Sequence, residues 1–223
     1  MKVEAVGDAA LRVTVAETPG AEASARVRAL DAALRAAALP GVRAIVPAYT
    51  TLLVHFDPLA AGLVLLSDAI AAVAPQTVAP PQRRWHIAAT YDGEDLDAVA
   101  AQLGLSPAAV VAQHSAAQYA VACLGFAPGF AYLTGLPTAL HVPRRASPRP
   151  QIPAGSLIVG GQQTAVMPLP LPSGWHILGR THLALFDAAR AEPSLLLPGD
   201  WVRFVPTAAA LLATAAVRCE ALP

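Results

Sequence analysis

The chain has 223 residues, 55% of them hydrophobic, and its 15 basic and 15 acidic side chains leave no formal net charge. That length buries a real core in one large domain or two small ones, and two are expected. Zero net charge provides no field to draw the chain onto nucleic acid or an anionic membrane, and having Lys2 as its one lysine excludes a Walker A loop, an internal lysine Schiff base and a biotin-carrying lysine in the body of the chain.

The chain opens Met-Lys-Val-Glu, without the basic, apolar and small-residue segments of a signal peptide. Its apolar runs are broken well before the roughly 20 residues that a membrane span needs. A cytoplasmic protein without a transmembrane helix is expected. Leu11 to Val15 is strand-like, and Glu22 to Ala38 repeats Val27, Leu30, Leu34 and Ala38 on one helical face, ended by Pro40-Gly41. Val42 to Val46 and Thr51 to Phe56 read as a hairpin. Pro58 opens a second helix with the stripe Leu59, Leu63, Leu66, Ile70 and Val73. Strand, helix, hairpin and helix make most of a ferredoxin-like split βαβ unit over residues 1–80, and the proline-rich Pro75 to Gln82 reads as a linker.

A second domain, residues 84–223, begins with a strand at Trp85 to Thr90. Leu96 to Gln118 then reads as two helices broken at Gly104 to Pro107, with Ser106 as N-cap and Pro107 as first helical residue. This resembles a helix-turn-helix only superficially, since no Lys or Arg occurs from Trp85 to Pro143 to meet a phosphate. From Tyr119 onward, short apolar runs punctuated by Gly and Pro indicate an all-β barrel or sandwich. Leu197 to Asp200 reads as a tight turn into a closing strand, Trp201 to Val205. Two distant cysteines, Cys123 and Cys219, fit a reducing compartment, and Cys123 in its apolar run reads as buried and inert.

The chemistry points to this second half. Between Asp97 and Asp187 there is no acid, yet the stretch carries Arg144, Arg145, Arg149 and Arg180 with His114, His141, His176 and His182. Guanidinium stays charged and its fork matches carboxylate or phosphate, so these arginines await a ligand anion, pair with acids outside the stretch such as Asp92, Glu94 or Asp200, or are simply solvated. Four prolines stiffen the loop Pro143 to Pro153 and lower the cost of presenting its arginines to an anion. Phe130 and Tyr132 either wall a small-molecule pocket or pack the core around a turn, and Trp175 reads as core rim beside Arg180. Gly160-Gly161 offers backbone donors, with Gln163 and Thr164 suited to orienting an amide or carboxylate. His114, at a helix end where histidines are more often structural, is also the candidate proton carrier. No metal site is expected, because the histidines lack ligand spacing and no carboxylate joins them.

Taken in order, Leu39-Pro40-Gly41-Val42, Val46-Pro47-Ala48-Tyr49, Phe56-Asp57-Pro58, His114-Ser115, Leu124-Gly125-Phe126, Pro128-Gly129-Phe130, Tyr132-Leu133, Pro143-Arg144-Arg145, Pro148-Arg149, Gln163-Thr164, Gly174-Trp175 and Leu178-Gly179-Arg180-Thr181 resemble the family of 5-oxoprolinase B subunits, known also as KipI-like proteins or allophanate hydrolase subunit 1. The resemblance covers nearly the whole chain. It implies a small N-terminal α/β domain and a C-terminal cyclophilin-like β-barrel, an α+β chain overall. It implies partnership with subunits C and A, and ATP-dependent opening of 5-oxo-L-proline to L-glutamate with ATP bound by the assembled complex. Arg144, Arg149 and Arg180 would then hold anions, Gln163 and Thr164 orient substrate, and His114 move a proton. Against the family pattern, Tyr91 to Asp95 is short, Gln162 interrupts the usual glycine-glycine-glutamine-threonine run, and Met167 replaces an aromatic before Pro168. Two other readings follow from the same resemblance. One is a regulator that inhibits a histidine kinase by contact, and the other a carboxyltransferase-type subunit acting on urea-derived carboxylates.

Overall fold

The computed structural model describes residues 1–73, 83–209 and 218–221. The segment read as a linker, Pro75 to Gln82, lies outside the described residues. The chain divides into two compact units, Met1–Pro80 and Pro81–Pro223.

The smaller unit is an antiparallel sheet with two helices. Its strands are β1 (Lys2–Ala5), β2 (Ala10–Thr14), β3 (Val42–Pro47) and β4 (Thr51–Phe56), in the order β1-β2-β4-β3. Both β2 and β3 run antiparallel to β4, so they are parallel to each other with β4 between them, joined by α1 (Ala21–Ala37). The α1 face expected from the 3.6-residue repeat is buried through Val27, Leu30 and Leu34, against Leu11, Val13, Leu52 and Val54 of the sheet. Strand β1 was not anticipated, because a short edge strand carrying Lys2 and Glu4 has no run of β-formers. Helix α2 (Leu63–Ala72) starts later than expected. The Asp57 side chain accepts from the Leu59 N–H (2.9 Å) and its carbonyl from Ala60 and Ala61, closing a separate turn before Gly62. Leu59 is consequently 98% exposed, and only Leu66 and Ile70 of the helix are buried.

The larger unit carries an eight-stranded sheet built from β5 (Arg83–Ala89), β6 (Tyr119–Leu124), β7 (Ala131–Thr134), β9 (Ser156–Gly160), β10 (Gln163–Val166), β12 (His176–Arg180), β13 (Trp201–Pro206) and β14 (Arg218–Ala221), with β8 (Arg149–Ile152) and β11 (Leu171–Ser173) paired separately. The order is β12-β9-β10-β7-β6-β13-β5-β14, and β13 on β5 is the parallel pair. Among the described residues the strand ladders do not close into a barrel, and one antiparallel bridge joins Thr90, just past β5, to Arg180 of the edge strand β12. Helices α3 (Leu96–Leu103) and α4 (Pro107–Ala116) bury Val99, Ala100 and Val110 in the principal core with Phe204 and Ile87. Ser106 caps α4 by accepting from the Ala109 N–H at 3.1 Å, with Pro107 in the first turn. The turn before β13 forms as expected, with Gly199 at φ +94° and Asp200 receiving Arg83, the Trp85 indole N–H and the Leu197 N–H.

Strand alternation gives the sheet two faces with separate cores. Leu133, Leu157, Val159 and Val166 pack with the helices, while Ile158, Ala165 and Ile177 pack on the other face with Phe130 and Trp175.

Candidate functional site

The loop from Pro143 to Arg149 lies on the Trp175 face and is fastened at several points. The Arg145 N–H donates to the Gly174 carbonyl at 2.7 Å, and His176 Nε2 to the Pro143 carbonyl at 2.9 Å. Asp95, 4% exposed, is the main anchor. Its carboxylate accepts from Arg145 Nη1 at 3.0 Å, Arg149 Nη1 and Nη2 at 2.8 Å each, and the Ile177 N–H at 2.8 Å. Burial works to raise its pKa, but Arg149, the Ile177 N–H and Arg145 outweigh that and hold the carboxyl below its ordinary value. Glu94 adds a second carboxylate to Arg149. Arg180 forks onto Asp92 at 2.8 to 3.2 Å. The acids just before the acid-free stretch therefore pair with both Arg149 and Arg180, so neither stands without a carboxylate.

Arg144 is different. Among the described residues no carboxylate pairs with it, and its guanidinium carbon stands 5.7 Å from the centroid of the Trp175 ring. On one side of it lies a cavity of about 270 Å³ walled by Phe126, Phe130, Tyr132 and Trp175 and edged by Ser173. The rings meet edge to face, Phe130 with Tyr132 at 4.9 Å, Phe130 with Trp175 at 6.0 Å and Phe126 with Phe130 at 5.3 Å. Arg144 also borders a second depression of about 430 Å³, with Gln102, Arg145, Ser147 and His176. A cation without a counterion beside an aromatic-walled cavity favours a small ligand with one flat apolar face and one anionic group. Burial, the leading cause, raises the Tyr132 pKa.

His114 and Thr164 lie on the opposite face, and both are completely buried. Thr164 Oγ1 donates to the Ile158 carbonyl (2.9 Å) and accepts from His114 Nε2 (2.9 Å), which leaves His114 Nδ1 to accept from the Tyr91 hydroxyl (2.8 Å). Tyr119 donates to the His114 carbonyl at 2.7 Å, and Phe204 stacks on the imidazole at 5.1 Å. Burial pushes the His114 pKa down to about 3 and the Tyr91 pKa up. A sealed, neutral imidazole with both nitrogens engaged is a core tie. Neither the proton-carrying role expected of His114 nor the substrate contact expected of Thr164 fits this placement.

Gln163 starts β10 on the face of Ala165, opposite Gly160. The paired glycines do not offer a donor nest. The Gly161 N–H donates to the Val142 carbonyl at 2.7 Å, and Gly160 is bare because a Cβ there would come within 2.8 Å of the Trp175 ring. Two participants escaped sequence reasoning. Asp95 sits 54 residues from Arg149 in the chain, and nothing local marks it as that arginine's partner. Phe126 was passed over in favour of Phe130 and Tyr132, although it lines the same cavity.

Residues 1–196 match the family model described as carboxyltransferase domain, subdomain C and D. The chain is 53% identical over 134 residues to the 5-oxoprolinase B subunit of Escherichia coli O157:H7, covering 59% of this chain and 62% of that one. It is 35% identical over 220 residues to the 5-oxoprolinase B subunit of Bacillus subtilis (strain 168), covering 92% of each. The solved structure of TTHA0988 superposes with a TM-score of 0.82 at 40% identity, over 89% of this chain and 40% of that chain. Kluyveromyces lactis urea amidolyase superposes with a TM-score of 0.78 at 16% identity, over 99% of this chain and 16% of its own, a likeness of fold alone.

Proposed function

The chain belongs to the family of 5-oxoprolinase B subunits, and from that premise we propose that it works with subunits A and C in the ATP-dependent opening of 5-oxo-L-proline to L-glutamate. The observation that carries this reading is Arg144, an arginine without a carboxylate partner among the described residues, at the edge of a cavity of about 270 Å³ walled by aromatic rings. The substrate is a small ring bearing one carboxylate. Arg144 would take the carboxylate in a charge-assisted contact, while Phe130, Tyr132 and Trp175 flank the ring and shed water from it. Opening the lactam adds one water across the amide bond, so that the carbonyl carbon becomes the glutamate side-chain carboxylate and the nitrogen its amine. Holding the ring by its carboxylate fixes where that carbonyl points.

This chain's residues do not suit a triphosphate by themselves. Its one lysine is Lys2, and Arg149 and Arg180 already grip carboxylates. ATP is accordingly assigned to the assembled complex, where its hydrolysis supplies the driving force. The smaller unit is read as ferredoxin-like, supported by β2 and β3 flanking β4, and the larger as a cyclophilin-like barrel, supported by the Thr90 to Arg180 bridge. A carboxyltransferase acting in urea metabolism is not favoured, since the resemblance to urea amidolyase is one of fold.

In a bacterial strain deleted for its own three subunits, this chain expressed with its A and C counterparts is expected to restore growth on 5-oxoproline as nitrogen source, and the A and C pair alone is not. Growth with A and C alone, or none with all three well expressed, would sink the reading.

A further inference from the structure

We propose that Phe126 is a specificity-determining residue, whose ring closes the aromatic cavity over the flat face of a small cyclic ligand anchored through Arg144. The assignment rests on the oxoprolinase reading for the identity of that ligand.

The backbone carries the first part of the case. Phe126 has φ +66°, and Ala38 at the end of α1 is the other non-glycine with positive φ among the described residues. The Ala127 N–H donates to the Gly125 carbonyl at 2.7 Å across Phe126. An i to i+2 bond about a residue of positive φ is the signature of the rare γ-turn, which is strained for a bulky side chain. A glycine stands immediately before it at Gly125, and Gly129 takes φ +78° within the same loop. The loop thus places a phenylalanine where glycine is the natural occupant.

The side chain carries the second part. Core packing does not account for the ring, which is 60% exposed while Phe130 and Trp175 are 3% and 5% exposed. It touches Phe130 edge to face and forms part of the cavity wall that also includes Arg144. An exposed aromatic held by a strained turn at the mouth of such a cavity is placed to meet a ligand. A flat ring with a carboxylate would lie against Phe126 while Arg144 takes its charge, whereas an open-chain acid such as the glutamate product has no flat face to offer. The loop therefore favours cyclic over open-chain carboxylates.

The test uses the reconstituted three-subunit complex and two variants. Phe126→Gly removes the ring and relieves the turn, and Phe126→Leu keeps apolar bulk without a flat face. Both are expected to raise KM for 5-oxoproline, Phe126→Gly by about tenfold, with kcat changed less than about threefold. The thermal midpoint of the isolated Phe126→Gly chain is expected to equal or exceed that of the wild type. An unchanged KM in either variant, or a lowered midpoint for Phe126→Gly, overturns the assignment, since the ring would then serve neither discrimination nor display. An inactive wild-type complex would instead remove the underlying reading, so the two failures are distinguishable.

Discussion

Asp95 accepts from Arg145, Arg149 and the Ile177 N–H, so two of the three arginines in the proline-rich loop serve the fold, while Arg144 has no carboxylate partner among the described residues and is the one proposed to meet a ligand. The two kinds of arginine should separate in experiment. Arg144→Met should shift unfolding free energy by no more than about 0.5 kcal/mol while raising KM for 5-oxoproline by about tenfold or more, because a charge-assisted contact is lost. Arg149→Met should cost about 3 kcal/mol in denaturant unfolding, because it strips a buried carboxylate of its bidentate partner. His114 makes a pH prediction. Its folded pKa of about 3 lies below the unfolded value of 6.5, so the unfolded chain binds more protons between those limits. Stability is therefore full above pH 6.5 and falls by up to about 1.4 kcal/mol per pH unit on acidification toward 3, in the same direction as the lowered Asp95 adds at the acid end. Denaturant unfolding between pH 7 and 5 checks this, and His114→Gln should flatten the slope. Sequence exposed the excess of arginine but not its partners, since Asp92 and Arg180 are 88 residues apart and meet only through the sheet.

At the level of elements, strand alternation decides which candidate residues share a site. Thr164 and Gln163 are neighbours in β10, yet Thr164 faces the helices, where it bonds His114, while Gln163 starts the strand on the face of Ala165. Reading them as one motif put together residues that the pleat separates. Features set by local chemistry were legible, including the Ser106 cap, the buried stripe of α1 and the turn at Gly199. Features set by distant packing were not. Gly160 looked like a backbone donor and proves to be the seat of Trp175. Gly160→Ala should push the indole toward the cavity, cost about 1–3 kcal/mol in unfolding and weaken ligand binding. Urea unfolding and substrate titration of the variant complex would show both effects.

On the scale of the whole molecule, the described strands and helices form two compact units, and no helix among the described residues is long and apolar enough to cross a membrane. The aromatic cavity and Arg144 belong entirely to the larger unit. Under the proposed reading, one cation and a ring of aromatics hold and orient a cyclic acid while ATP is bound by the assembled complex, a division of labour that accords with membership of a family of B subunits. The most direct test is ATP-dependent glutamate release from 5-oxoproline by purified subunits A and C with and without this chain. Release that requires the chain, and that is lost or needs far more substrate with Arg144→Met, is the expected result. Equal release with and without the chain, or full activity of the Arg144→Met complex at the wild-type KM, would contradict it.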